Sequence, residues 1–281
     1  MSNEGSLYIV ATPIGNLDDI TLRAVNILKS VDAIAAEDTR HSKKLLQHLG
    51  IDTPMFALHE HNEMLKKSAV IERIQQGESI ALISDAGTPL ISDPGFLLVR
   101  QARQVGITVT PIPGASSILA GLSCSGLPTD RFIFEGFIPS KKGDRKKRLE
   151  SLSTEKRTLI FFEAPHRIES SLQDCAEVFG EDRQAVVCRE LTKTWETFLT
   201  GNLASLLSEV QADPNQSRGE LVLVIAGQQK SSELDWQSQQ LLELLMESLP
   251  LKKAASITAQ VSGLNKKVLY DAGLAHQKKQ Q

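Results

Sequence analysis

The stretch Leu82-Ile83-Ser84-Asp85-Ala86-Gly87-Thr88-Pro89-Leu90-Ile91-Ser92-Asp93-Pro94-Gly95 decides how this chain is read. A short apolar run, Ile80 to Ile83, passes straight into two Asp/Gly/Pro turns. In them Gly87 and Gly95 are free to adopt positive φ, Pro89 and Pro94 stiffen their neighbours, and Ser84, Asp85, Thr88 and Asp93 set polar groups beside exposed backbone. At the carboxyl end of a strand that mixture suits a polar ligand. It also suits a tight β-to-α connection capped by Ser and Asp. Two further junctions of the same kind favour the ligand. Ala11-Thr-Pro-Ile-Gly-Asn-Leu-Asp-Asp-Ile-Thr21 follows Leu7-Tyr8-Ile9-Val10 and precedes helical spacing at Leu22, Val25, Ile27 and Leu28; Pro111-Ile-Pro-Gly-Ala-Ser-Ser-Ile-Leu-Ala-Gly-Leu122 follows Ile107-Thr-Val-Thr110. Three such junctions predict a parallel sheet with its ligand across the carboxyl ends of the strands.

Around these junctions the chain organises itself. Residues 1–115 read as a β/α domain, with strands near 7–11, 33–36, 54–58, 79–83 and 107–111 and helices near 21–30, 40–49, 64–76 and 94–105. From Phe132 the texture changes to spaced apolar runs at 132–137, 158–163, 185–191, 194–201 and 221–226, with helices at 166–179 and 202–211. A second, mixed α/β domain over 116–228 is expected, its sheet partly antiparallel. The polar stretch from Gln228 reads as a linker, and 229–281 as a small helical element in which Gly263 stops one helix and Asn265 caps the next, a helix-turn-helix spacing.

The 281 residues are 41% hydrophobic and 23% charged, enough for a full core. The longest apolar run, Leu221 to Ala226, falls far short of the roughly 20 residues of a membrane span, and the N-terminus carries neither a basic leader nor an apolar signal core. A cytoplasmic protein without a membrane partner is expected. Cys124, Cys175 and Cys188 are too widely spaced for a zinc knuckle, so buried reduced thiols are expected. Net charge is only −3, yet the cations segregate. Lys141, Lys142, Arg145, Lys146, Lys147 and Arg148 crowd into what reads as a basic loop, and residues 251–281 hold six Lys against the single acid Asp271. Both read as phosphate-facing surfaces, with a merely solvated face as the plain alternative.

Absences narrow the chemistry. There is no Gly-x-Gly-x-x-Gly, no Gly-Lys-Ser/Thr phosphate loop and no His-Glu-x-x-His. His59-Glu60-His61-Asn62-Glu63, taken as extended, aims His59 and His61 one way but offers no third partner, so no metal is expected. Glu37-Asp38-Thr39-Arg40-His41 is the densest ionisable group at a predicted strand end: Arg40 suits a phosphate and an adjacent acid a hydroxyl, while helix capping is the rival reading. Glu163-Ala-Pro-His166-Arg167 and Arg189-Glu190-Leu191-Thr192-Lys193 sit similarly after apolar runs.

Together, Ala-Thr-Pro-Ile-Gly-Asn-Leu-Asp-Asp, Glu-Asp-Thr-Arg, Ser-Asp-Ala-Gly-Thr-Pro, Pro-Gly-Ala-Ser-Ser, Phe-Glu-Ala-Pro-His-Arg and Arg-Glu-Leu-Thr-Lys resemble the small-subunit ribosomal RNA 2′-O-ribose methyltransferases of the tetrapyrrole-methylase superfamily. The resemblance runs from Leu7 to Gly227, and the tail looks like that family's small C-terminal helical domain. It implies a two-domain tetrapyrrole-methylase-like α/β fold, S-adenosyl-L-methionine held between domains, a homodimer, and a cytidine ribose of 16S ribosomal RNA in the small subunit as substrate. Carried over residue by residue, it implies cofactor contacts at Pro13, Gly15, Asp85, Ala86, Gly87, Thr88, Ser116 and Ser117, with Glu163, Leu191 and Ala226 around them. Transfer to a ribose hydroxyl calls for a base or nearby cation, for which Lys193 and the pair Glu37 and Asp38 stand ready; Arg40, His166 and Arg189 are then expected to fix flanking phosphates, with the 141–148 cations. Methylation of a porphyrin or corrin carbon is the rival activity, and an RNA-binding assembly factor without catalysis the rival class.

Overall fold

The computed structural model describes residues 5–228 and 236–279, and the chain divides into two compact units, Met1–Gly227 and Gln228–Gln281. In the first unit, β1 (Ser6–Val10), α1 (Leu22–Ser30), β2 (Ala33–Ala36), α2 (Thr39–His48), β3 (Met55–Ala57), α3 (Glu60–Gln75), β4 (Ile80–Ile83), α4 (Phe96–Gln104) and β5 (Thr108–Ile112) alternate as their apolar runs require. The strands form one sheet in the order β3-β2-β4-β1-β5, every pair parallel. β2 and β4 are buried at every position, as strands covered on both faces must be. Leu7, Ile80, Leu82 and Leu98 fill one side, and Val10, Leu28, Leu46 and Ile83 the other. Because all five strands point one way, their following loops collect along one edge.

α5 (Ser117–Cys124) leads to β6 (Phe132–Phe137), α6 (Lys142–Ser151), β7 (Thr158–Glu163), α7 (Ile168–Phe179), β8 (Gln184–Arg189), β9 (Thr197–Asn202), α8 (Leu203–Ala212) and β10 (Leu221–Ile225). The second sheet runs β6-β7-β10-β8-β9, parallel between β6 and β7 and antiparallel elsewhere, the mixed sheet expected. α6, α7 and α8 supply Leu149, Leu172 and Leu203 to the core on one face. The other face takes α5, whose Ile118 and Leu122 pack with Ile160, Val186 and Val222, together with Ile14 from the loop after β1. At Gly121 a β-carbon would lie 3.4 Å from both Cys188 Sγ and Val222 Cγ1, so the missing side chain lets α5 settle on the sheet.

Three expectations need correcting. The basic stretch is no loop but α6, and Arg145 is no surface cation: its guanidinium is buried against Asp174 at 2.6 Å and donates also to Ser140 O. Lys146 pairs with Glu177 at 2.5 Å and Arg148 with Glu135, so half of the six cations hold α6 in place. The His59–Glu63 stretch is not extended either. The backbone N–H of His59 donates to Asn62 Oδ1 at 3.0 Å to open α3, and buried Glu63 accepts the Leu98 N–H at 2.9 Å, capping α4. Cys175 and Cys188 are buried as expected, whereas Cys124 is exposed.

The second unit comprises α9 (Trp236–Met246), α10 (Leu251–Ser262) and α11 (Lys266–Lys279), packed around Leu242, Ala254, Ala255, Leu264 and Leu269. Gly263, at φ +73°, ends α10, and Asn265 Oδ1 accepts the Lys267 N–H at 2.9 Å, the stop and cap foreseen from the sequence. Most of the expected linker, 229–235, lies outside the described residues.

Candidate active site

At the carboxyl edge of the first sheet the loops interlock. Thr12 and Gly87 exchange two backbone hydrogen bonds, at 2.9 and 3.0 Å, with Gly87 at φ +75°. Thr12 Oγ1 donates to Ser84 O at 3.3 Å, and Thr88 Oγ1 to Ala115 O at 3.1 Å. The loops after β1, β4 and β5 therefore form one rigid rim. The turn after β8 meets it: the Asn16 N–H donates to Thr192 Oγ1 at 3.0 Å, and a β-carbon on Gly15 would lie 2.5 Å from Lys193 Cγ. Glu190 and Thr192 hold φ of +52° and +64° there, a costly geometry for a β-branched threonine and one that marks functional seams.

Two cavities open at this seam. One, of about 330 Å³, is lined by Ile14, Ser117, Phe137, Phe162, Leu191 and Val222, with Glu163 and Pro165 at its margin. The other, of about 430 Å³, is lined by Pro13, Gly15, Ser84, Asp85, Ala86 and Lys193, and by His41, Ser42, Lys44 and Leu45 of α2. Ile14 and Glu220 border both.

Acids crowd behind Asp85 on the wall of the polar cavity. Glu37 Oε2 accepts the Asp85 N–H at 3.4 Å, and Asp85 Oδ1 the Asp38 N–H at 3.1 Å. Burial pushes the Glu37 carboxyl above the usual carboxylate range, and the neighbouring charges of Asp93, Asp85 and Asp38 push it further. Asp93 is raised chiefly by burial as well. Asp38 moves the opposite way, because Arg40 hydrogen-bonds it through the side chain at 2.8 Å. Lys193 Nζ donates to Glu190 Oε1 at 2.8 Å and lies 3.2 Å from Glu220 Oε2. Burial depresses this ammonium, and the two carboxylates more than offset it, so its pKa stands above the usual lysine value.

The structure gathers most of the residues singled out from the sequence. Pro13, Gly15, Asp85, Ala86 and Lys193 line the polar cavity; Ser117, Glu163 and Leu191 line the apolar one. Gly87 and Thr88 hold the rim behind them, and Ser116 is the N-cap of α5. Glu163 is fully engaged, by Arg167 at 2.7 Å, by the Ala164 N–H at 2.7 Å and by the Ser171 hydroxyl, so it braces the wall. His166 is exposed on the turn Pro165–Arg167.

Two assignments turn away from the cleft. Ala226 stands at the wrong end of the sheet: β10 enters the cleft at Leu221, opposite Glu163 and Arg189, and leaves it at Ile225, roughly 13 Å further along at about 3.3 Å per residue. Arg189 is buried and donates to Trp195 O at 3.1 Å and Thr197 Oγ1 at 3.2 Å, tying the β8–β9 turn rather than facing a phosphate. Arg40 remains open to a phosphate: its side chain is 90% exposed and rests on Asp38 in a surface ion pair. Sequence reasoning gave His41 no role of its own and missed Lys44 and Leu45, which share its face of α2 at i, i+3, i+4 spacing, and Glu220, which no local pattern marks.

Residues 6–207 match the profile of the Tetrapyrrole (Corrin/Porphyrin) Methylases, and residues 232–277 that of the RsmI C-terminal HTH domain. Over 274 residues the chain is 55% identical to Ribosomal RNA small subunit methyltransferase I of Pasteurella multocida, spanning 97% of this chain and 98% of the relative. The same protein of Haemophilus influenzae is 55% identical over 279 residues, 98% of each chain. The chain belongs to the ribosomal RNA small subunit methyltransferase I family. Its fold is that of the tetrapyrrole methylases, as the six motifs implied: the uroporphyrin-III C-methyltransferase of Thermus thermophilus, solved with S-adenyl homocysteine, superposes with a TM-score of 0.56 at 17% identity, over 79% of this chain and 97% of that one. Membership in the family makes the chain a methyltransferase, and its cleft lies where a parallel sheet presents its ligand.

Proposed function

We propose that this protein methylates the ribose 2′-hydroxyl of a cytidine in 16S ribosomal RNA, using S-adenosylmethionine. The observation that carries the reading is full-length identity of about 55% to relatives named as small-subunit ribosomal RNA methyltransferases. The polar cavity is compatible with it, because Lys44 and Lys193 place ammonium groups where a polyanion can meet them. A catalytic cleft with strained backbone at its seam speaks against a factor that only binds RNA.

The residues present fit S-adenosylmethionine. The apolar cavity suits the flat adenine, and Asp85 on the wall of the polar cavity, with Glu37 hydrogen-bonded to its backbone N–H, supplies negative charge for a cationic ligand. When bound, this cofactor supplies an electrophilic methyl group on a sulfonium. Glu37 is the base we assign to the 2′-hydroxyl proton: it accepts the N–H of Asp85, which lines the polar cavity, and burial and neighbouring acids make its carboxylate more basic. Asp38 is a poor base beside Arg40, and Lys193 remains an ammonium between two carboxylates. The interlocked rim of Thr12, Gly87 and Thr88 positions the reactants and excludes water.

A homodimer is part of the proposal. Met64 and Leu65 on α3 and Phe96 on α4 are large, exposed and apolar on two helices that pack together, a surface suited to a second copy. Work on ribosomal RNA implies the cytoplasm, and no helix among the described residues is long and apolar enough to cross a membrane. Methyl-labelled S-adenosylmethionine and small ribosomal subunits from cells lacking the mark test the activity. Label on a 2′-O-methylated cytidine is expected; unlabelled subunits together with a labelled tetrapyrrole would overturn it.

A further inference from the structure

Lys193 is held by two carboxylates of unlike character. Glu190 has a side chain only 17% exposed, and its Oε1 accepts both from Lys193 Nζ at 2.8 Å and from the Glu220 N–H at 2.9 Å. It is a fixed part of the wall. Gly219, at φ +81°, brings its backbone so close to Glu190 that a β-carbon would collide with that carboxylate. Glu220 itself has a side chain 72% exposed, borders both cavities and reaches Lys193 only at 3.2 Å. Among the described residues its carboxylate has no other donor. One lysine thus carries one buried anion that stays and one exposed anion that is free to leave.

The chemistry of the cavity sharpens the point. Lys44 on α2 lines the same space of about 430 Å³ as Lys193, so two ammonium groups share it. Two carboxylates on one ammonium leave the mouth locally anionic, which repels a polyanion as it arrives. That repulsion ends when an incoming phosphate takes the place of Glu220 on Lys193.

We infer that the Lys193 ammonium is the anchoring subsite for an RNA backbone phosphate, and that Glu220 is its resident counter-ion, displaced when that phosphate enters the polar cavity. The inference rests on RNA being the substrate. Glu220 is then a positioning residue that acts through Lys193: it keeps the lysine in register without substrate and raises the threshold for binding an anion.

The test is binding of a fluorescent 16S-derived RNA fragment to the wild-type protein, Glu220→Gln and Lys193→Gln across a salt series, with S-adenosylhomocysteine binding measured in parallel by calorimetry. Glu220→Gln is expected to bind RNA about threefold to fivefold more tightly, the range for loss of an exposed competing pair. Its cofactor-product affinity stays within twofold. Lys193→Gln is expected to bind more weakly and to lower the slope of log affinity against log salt by about one, the signature of a lost phosphate contact. In methyl transfer to small subunits, Glu220→Gln lowers KM more than it alters kcat. RNA affinity unchanged in Glu220→Gln, or a full salt slope retained in Lys193→Gln, overturns the inference even if methylation proceeds. Weakened S-adenosylhomocysteine binding in Glu220→Gln also overturns it, by making Glu220 a cofactor ligand. Both variants bear on side chains at the cavity surface, and coincident urea midpoints confirm that each is folded. Tight RNA binding that follows these expectations without any methyl transfer sinks the functional reading and leaves the subsite standing.

Discussion

In the apolar cavity the polar atom of the wall is already paired, whereas the polar cavity beside it holds charges that oppose one another. Glu163 meets Arg167, Ser171 and the Ala164 N–H, and Ile14, Leu191 and Val222 are packed into the core that joins α5 to the second sheet. Beside the polar cavity, by contrast, burial raises the proton affinity of Glu37 and of Asp93, and the neighbouring acids add to it. The first cavity is shaped before any ligand arrives. The second keeps an electrostatic penalty that a cationic ligand relieves, and this is how a site holds an acid with the basicity a proton acceptor needs.

The comparison breaks most sharply at Glu37. Glu37→Gln is expected to slow methyl transfer about 10²- to 10³-fold, the usual contribution of a positioned base, with S-adenosylhomocysteine still bound. In the wild type the rate should climb as pH rises through the raised carboxyl pKa and then level, because only the ionised form accepts a proton; the variant should lack that limb. Stability runs the other way. A carboxyl whose folded pKa exceeds its unfolded value binds more protons when folded, so its contribution to stability falls as pH rises between the two values. Glu37→Gln should therefore be the more stable protein at neutral pH by urea unfolding, and a less stable variant would contradict the charge crowding.

The apolar side answers with stability. Glu163→Ala leaves Arg167 facing a gap and is expected to cost about 3 kcal/mol in urea unfolding, at the low end for a broken buried pair because Arg167 is one-fifth exposed. Glu163→Gln, which still accepts hydrogen bonds, should lose less. Equal losses would mean that the charge, rather than the hydrogen bonding, holds this wall.

How much of this was legible in the sequence depends on whether the signal is local. The loops carrying Gly87 and Gly95 were readable, because glycine readily takes the φ of +75° and +118° found there, and β4 was readable because a strand buried on both faces is an uninterrupted apolar run. α6 was hidden, since six cations in eight positions look solvated, and its inward contact is an ion pair to Asp174, 29 residues away. Ala226 was misplaced and Glu220 overlooked for a related reason. Both flank β10, and which of its ends faces the cleft follows from the strand order β6-β7-β10-β8-β9, which no neighbouring residue encodes. The six motifs pointed to the family, but the family could not say that Arg189 is buried.

A smaller effect probes the strap between the cavities. Thr192→Val keeps the β-branched shape and the positive φ but removes the acceptor for the Asn16 N–H. A loss of about 1 kcal/mol is expected in urea unfolding, with a few-fold fall in kcat/KM as the Gly15 loop loosens. An unchanged kcat/KM would separate the seam from the chemistry.

The smallest effect carries the same distinction to the surface. On α6, Lys146 is tied to Glu177, whereas Lys142 and Lys147 are exposed and no ion pair is found for them among the described residues. A cation that keeps its carboxylate partner neutralises no phosphate, so Lys146→Ala should leave the salt slope of RNA binding where it is. Lys142→Ala with Lys147→Ala should lower that slope by up to about two and weaken binding a few-fold at low salt, if this face meets the backbone. Equal slopes for the paired and the exposed lysines would make α6 a structural helix alone. RNA would then be held by the cavity, where Lys193 differs from Lys146 in one respect: its exposed partner also stands at the mouth through which a phosphate must enter.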